Sequence, residues 1–375
     1  MHSQRHLLTT RAPGSHCELL SLHYGAAGGR KAYIQAALHA DEPPGLLVSW
    51  YLRRALEALD AAGQIAGEIV LVPMANPIGH GQRLLGRALG RFELASGENF
   101  NRYYRDLSKA ACAELQKHWD GSSEPDVAAA RAALRLAAAA LPADSELLSL
   151  RRCLLQLAID ADVVLDLHCD NEAAMHLYTA TPVWPQVEPL ARLIGAEVSL
   201  LAENSGGEPF DEACSMVWAA LNRQWAAITG TPGAWPDACV ATTLELRGEC
   251  DVRHDLAERD AEAILAYLTE LGFLARPRAD LPPLKREPRP LEGSMPVLTP
   301  VGGLLVHADR LGQELRQGDL IAEVIDPLTG AVTALTSPVD GLLYARESVR
   351  IVHAGMSIAK VAGTAALRSG PLLSA

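Results

Sequence analysis

Short apolar runs rich in branched aliphatic residues recur at Ala32–Leu38, Glu68–Val72, Asp162–Leu167, His176–Thr181 and Cys239–Leu246. Each has the length of a β-strand and is separated from the next by helix-like or polar sequence. Pro43-Pro44 can open a helix, since proline suits a first turn, and Leu46–Ala61 carries apolar residues at helical spacing. Asp255–Leu274 shows the same period. Strands alternating with helices bury their apolar faces as a sheet covered by helices on both sides, so the sequence predicts an α/β fold.

From about Leu107 to Ile159 the alternation lapses. This stretch is rich in Ala and Leu at helical period, interrupted by Gly121-Ser-Ser-Glu-Pro125, and reads as a helical insertion at about residues 107–160. It either packs plainly against the sheet or forms a lid or pocket wall. Ala275–Pro296 then carries Pro277, Pro282, Pro283, Pro288 and Pro290, which helices and central strands do not accommodate. A boundary is expected there, with residues 1–285 as one domain and 286–375 as a β-rich second one.

Within the second part, Gly303-Leu-Leu-Val-His-Ala, ending in Gly318-Asp-Leu-Ile-Ala-Glu-Val324, returns as Gly341-Leu-Leu-Tyr-Ala, ending in Gly355-Met-Ser-Ile-Ala-Lys-Val361. Two copies of a short β unit suggest a small all-β sandwich. The pattern resembles the biotinyl and lipoyl carrier domains, whose modified lysine sits in the turn between the halves. Here the matching turn, Asp326-Pro-Leu-Thr-Gly330, has no lysine, so a structural or oligomerising role is expected instead of a carrier one.

A chain of 375 residues, 49% apolar and 21% charged, supports a large core plus a second small domain. Its formal net charge of -12 argues against nucleic acid or an anionic membrane as partner, because phosphate binding needs dense Lys and Arg; a small molecule fits better. The seven cysteines are odd in number and include no Cys-x-x-Cys pair, which suits a reducing compartment and no thiolate zinc knot. The start, Met-His-Ser-Gln-Arg-His-Leu-Leu, has too short an apolar run for a signal peptide, and no stretch is long and uncharged enough to span a membrane. A cytoplasmic protein is expected.

Two of the strand-like runs end in metal ligands. The first leads into His39-Ala-Asp-Glu42 and the other, Asp162-Val-Val-Leu-Asp-Leu, ends in His168. Ligands gather outside the carboxyl ends of strands in α/β sheets, so the two can converge on one cation. Two His and one Glu make the three-protein-ligand set of catalytic zinc. Taken singly, each is weak: His39-x-x-Glu42 recurs by chance, and His168 could cap a strand end. Asp166, two residues before His168, shares its face of the strand and could orient it.

Glu245 interrupts the apolar run Ala241-Thr-Thr-Leu-Glu-Leu, where an acid costs several kcal/mol unless it is paired, hydrogen-bonded or protonated. It is either an ion-pair partner of Arg247 or another arginine, or a general base beside a metal-activated water. Asn101-Arg102 could hold a substrate carboxylate through an amide and a guanidinium fork, and Arg91 could stabilise an oxyanion. Each arginine could equally be a solvated surface residue.

Taken in order, His39-x-x-Glu42, Asn101-Arg102, Asp166-Leu-His168 and Thr243-Leu-Glu245-Leu resemble the succinylglutamate desuccinylase/aspartoacylase family, within the zinc carboxypeptidase-like clan. The likeness covers most of residues 30–275 and extends to the β-rich C-terminal part. It implies a mixed β-sheet flanked by helices and one zinc ion per chain held by His39, Glu42 and His168. It also implies Glu245 as general base and later acid, Asn101 and Arg102 on the substrate carboxylate, and Arg91 on the oxyanion. The implied reaction is hydrolysis of the amide of an N-acyl amino acid or related small N-acyl amine. Cys169-Asp-Asn-Glu172 departs from the Thr-rich segment expected in aspartoacylase itself. A peptide-trimming zinc carboxypeptidase and a non-catalytic, metal-stabilised binding protein are the competing readings, and a homo-oligomer is possible.

Overall fold

The computed structural model describes residues 1–10, 12–119, 121, 125–231, 233 and 235–373. The N-terminal part begins with β1 (His2–Leu7), β2 (Glu18–Gly25), β3 (Lys31–Ala36), α1 (Pro44–Ala61) and β4 (Glu68–Val72). There follow α2 (Pro77–Gly81), a small hairpin of β5 (Arg83–Leu84) and β6 (Arg87–Ala88), and the helices α3 (Ser108–Gln116), α4 (Val127–Ala139) and α5 (Glu146–Ala158). The second half of the sheet comes from β7 (Val163–Asp170), β8 (Glu172–Ala173), β9 (His176–Ala180), α6 (Trp184–Ile194), β10 (Val198–Ala202), α7 (Phe210–Ser215), α8 (Val217–Thr229), β11 (Val240–Gly248), α9 (His254–Glu270) and β12 (Arg289–Pro290).

Nine of these strands form one mixed sheet in the order β1-β2-β4-β3-β7-β11-β9-β10-β12. The central strands β3, β7 and β11 are parallel neighbours, so their carboxyl ends open on the same edge of the sheet. Their side chains alternate between two cores. Tyr33 and Val164 face a core built with α3, α4, α5, α7 and α8, whereas Ile34 and Leu165 face one built with α1, α6 and α9. The five apolar runs read from the sequence are β3, β4, β7, β9 and β11.

The insertion forms three helices that supply Ala111, Leu134, Leu150 and Leu154 to the first core. Of the expected interruption at Gly121–Pro125, residues 122–124 lie outside the described residues. The expected strand to Leu38 stops at Ala36, because Ala37 takes a left-handed conformation, with φ 58°, that turns the chain across the end of the sheet.

The C-terminal strands are β13 (Ser294–Leu298), β14 (Gly303–His307), β15 (Glu314–Leu315), β16 (Leu320–Ile325), β17 (Val332–Thr336), β18 (Gly341–Arg346), β19 (Ile351–Val352) and β20 (Ser357–Gly363). They form two sheets, β13-β20-β18-β15 and β17-β16-β14-β19, packed through Leu305, Ile321, Leu343 and Ile358. This is the sandwich implied by the repeat, with β14 and β18 each opening on its glycine. The two parts of the chain interlock: β8 pairs with β18, and β12 pairs with β10 of the main sheet. Among the described residues no helix is long and apolar enough to cross a membrane.

Candidate metal centre

Where β3 ends, the turn at Ala37 carries His39 and Glu42 over the edge of the sheet just before α1 begins at Pro44. His168 reaches the same point from β7. The three are buried, and their ligand atoms lie within 4.8 Å of one another, an arrangement that can hold a metal ion. Arg91 arrives on a loop packed on this turn, with Ala40 N–H donating to Gly90 O at 3.0 Å. The contact needs glycine, since a Cβ on Gly90 would lie 2.2 Å from the Asp41 nitrogen.

The contacts assign the tautomer of His39. Its Nε2 lies 2.8 Å from Asn99 Oδ1, an oxygen that also accepts the Asn101 N–H, so Nε2 carries the proton. Its Nδ1 lies 2.8 Å from Arg91 NH1, which can only donate. The Nδ1 lone pair therefore accepts from Arg91, and Glu42 Oε1 lies 2.8 Å from the same nitrogen with no hydrogen between the two acceptors. Glu42 Oε2 lies 2.8 Å from His168 Nδ1 and accepts the Cys169 N–H at 3.0 Å. On the far side of that ring, His168 Nε2 is 3.0 Å from Asp166 Oδ2. Two imidazole Nδ1 atoms bracketing one carboxylate, each ring backed by an oxygen at Nε2, is a donor set that suits a divalent cation.

Charge follows from this packing. Burial lowers the pKa of His39, and the Arg91 charge adds to the effect. Burial opposes ionisation of Glu42, but the two imidazoles outweigh it and hold its carboxyl well below the usual range. Burial likewise opposes protonation of His168, yet Asp166 and Glu42 on either side raise its pKa well above the ordinary value.

Glu245 lies in register with His168 on the neighbouring strand β11 and lines the same cavity, of about 450 Å³. Its Oε2 is shut off from solvent with no hydrogen-bond partner among the described residues. Burial, reinforced by the charge of Glu42, pushes its pKa up to about 8. Among the described residues no arginine ion-pairs with it, and Arg247, at φ 66°, turns instead to Asp260. Asn101 and Arg102 line the cavity as well. Asn101 is fixed by Phe210 N–H donating to its Oδ1 at 2.9 Å, with its Nδ2 3.4 Å from His168 Nε2, and Arg102 NH1 donates to Asn101 O.

The seven residues expected as ligands, base and substrate or oxyanion contacts thus meet at one site, with Asp166 behind His168. Three contributions lay outside that reading. Asn99, two residues before Asn101, orients His39. Asp170, at the end of β7, accepts a hydrogen bond at 2.5 Å from Lys360 of β20, 190 positions away in sequence. The C-terminal part, expected to be structural or oligomerising, supplies one wall of the cavity through Tyr344, Lys360 and Leu372. No described residue of the helical insertion lines it.

Comparison with known proteins agrees with this architecture. The model of the succinylglutamate desuccinylase/aspartoacylase catalytic domain matches residues 28–144. A succinylglutamate desuccinylase/aspartoacylase family protein from Shewanella amazonensis SB2B is 28% identical, with a TM-score of 0.81 over 96% of this chain and 98% of that one. A second, from Shewanella frigidimarina NCIMB 400, is 26% identical, with a TM-score of 0.80 over 96% of each chain. The ectoine utilization protein EutE from Ruegeria pomeroyi, 15% identical, shares the fold with a TM-score of 0.63 over 96% of this chain and 94% of its own. No curated protein sequence matches. Fold and site define an α/β domain with a buried His-Glu-His centre at the carboxyl edge of its sheet. Residues 28–144 match the succinylglutamate desuccinylase/aspartoacylase catalytic domain, and nearly the whole chain is similar in fold to solved members of that family.

Proposed function

We propose that this chain is a zinc-dependent amide hydrolase that removes the acyl group from an N-acyl amino acid or a related small N-acyl amine. The observation that carries the reading is the pair of imidazole Nδ1 atoms set against the Glu42 carboxylate, beside an unpaired Glu245 carboxyl. The desuccinylase and aspartoacylase names of its relatives point to the same reaction class.

Zinc held by His39, Glu42 and His168 supplies Lewis acidity next to the acyl carbonyl. Glu245 takes the proton released as water attacks that carbonyl and passes it to the nitrogen of the departing amine, a role suited to a carboxyl with a raised pKa. Arg91, whose guanidinium leans on His39 and Glu42, is placed to stabilise the developing oxyanion. Asn101 and Arg102, which line the same cavity, hold the substrate carboxylate.

The enclosure of the cavity by C-terminal residues favours a small N-acyl substrate over a peptide, which needs an open cleft. Glu245, whose Oε2 is shut off from solvent without a hydrogen-bond partner among the described residues, disfavours a purely binding role, since such a protein has no use for a costly acid there. The test is zinc analysis of the purified protein followed by a screen of N-acetyl, N-succinyl and N-formyl amino acids against C-terminally trimmed peptides. Release of free amine from an N-acyl amino acid supports the proposal. Trimming of peptides in place of deacylation contradicts it.

A further inference from the structure

The cavity beside the metal centre extends to a second, apolar end. His168 lies on β7 and Leu200 on β10, three strands across the sheet, or roughly 14 Å at the usual strand spacing. At that end Leu200, Ala202, Leu291, Tyr344 and Leu372 belong to one contiguous apolar cluster with Leu373 packed on it, and all six line the cavity. The two leucines come from the C-terminal tail, which crosses back over the N-terminal part. Leu372 N–H donates to Ser205 O at 2.8 Å, and a Cβ on Gly206 would lie only 2.9 Å from Pro371 Cα. Arg368 pins the tail by donating from NH1 to Ser294 O at 2.8 Å and from NH2 to Leu372 O at 3.1 Å.

The cations that the C-terminal residues bring to this wall are engaged. Lys360 is held by Asp170, Arg346 by Glu172, and Arg368 by backbone carbonyls. A second substrate carboxylate at this end would have to displace one of those partners or lose its water without compensation, whereas an apolar group gains by leaving water against aliphatic carbon.

Resting on the deacylase reading above, we infer that the preferred substrate carries a bulky apolar substituent, on its amino-acid side chain or on its acyl group, seated against Leu200, Leu291 and Leu372. A second carboxylate is not selected.

Two measurements separate this inference from the reading beneath it. In the first, the zinc-loaded protein is assayed with N-acetyl-L-leucine and N-hexanoylglycine against N-acetyl-L-aspartate and N-succinyl-L-glutamate. At least one apolar substrate should show kcat/KM higher by about tenfold or more, and which one does so tells whether side chain or acyl group fills the apolar end. Leu372→Ala, and Leu373→Asp at a more exposed position should the first fail to fold, should raise KM for that substrate several-fold more than it raises KM for N-acetylglycine. In the second, binding of the same four compounds to Glu245→Gln is measured by calorimetry, which needs no turnover. Hydrolysis that prefers the dicarboxylic substrates, leucine variants without effect on KM, or a Glu245→Gln protein that binds neither apolar compound each overturns the inference and leaves deacylation standing. Apolar compounds bound more tightly, but no amide hydrolysed by the wild type, would uphold the apolar end and overturn the deacylase reading instead.

Discussion

Glu245 and His168 occupy directly paired positions on the parallel strands β11 and β7. The pairing sets a carboxyl whose Oε2 has no hydrogen-bond partner among the described residues beside a ring whose Nδ1 faces Glu42. In the proposed mechanism the base sits next to the metal ligands without being one of them, and the parallel pairing of β11 with β7 supplies that placement for Glu245 beside His168.

Glu245→Gln keeps the shape of the side chain and removes its capacity to carry a proton. Zinc content, measured by elemental analysis, should stay near that of the wild type while kcat falls by about 10²- to 10⁴-fold. Loss of zinc in step with activity would make Glu245 part of the metal-binding set and not the base.

Asp166 contacts His168 Nε2 at 3.0 Å and is itself fixed by Gln35, whose Nε2 donates to Asp166 Oδ1 at 2.9 Å. Asp166→Asn should weaken zinc binding by about 10- to 100-fold, as loss of the partner behind a ligating histidine does. Competition with a chromophoric chelator gives the affinity. An unchanged value would show that the ring is oriented by packing alone.

The Asp170–Lys360 pair ties β7 to β20 and carries a pH signature. Burial works against the charged carboxyl, but Lys360 outweighs it and lowers the Asp170 pKa to about 2, from an ordinary value near 4. A folded-state pKa below the unfolded one contributes stability that is present above about pH 4 and lost as the pH falls toward 2. Asp170→Asn should therefore lower Tm by a few degrees at pH 6, with the difference shrinking as the pH drops from 4 toward 2. A difference that is constant over that range would remove the ion pair as its cause.

The central strands and the four residues His39, Glu42, His168 and Glu245 were legible because each signal is local: an apolar run, then a ligand or an acid where burial is costly. The edge strands were harder to read. β1, His-Ser-Gln-Arg-His-Leu, is almost wholly exposed and carries no apolar alternation, and β10 is short. The site's remaining parts depend on contacts distant in sequence. Lys360 meets Asp170, and Leu372 meets Ser205, only because β8 joins the C-terminal sheet and the tail returns across the cavity. The internal repeat revealed the sandwich but carried no trace of the face it turns to the metal centre. Arg247, by contrast, offered Glu245 an ion pair two residues away, and the positive φ at Arg247 directs its side chain to Asp260.

The most direct test of the account is anomalous diffraction at the zinc absorption edge from crystals of the zinc-loaded protein. The account predicts one peak per chain, about 2.0–2.2 Å from Nδ1 of His39, Nδ1 of His168 and a Glu42 carboxylate oxygen. A peak elsewhere, ligation through Nε2 of either histidine, or no ordered zinc at this cluster would contradict it.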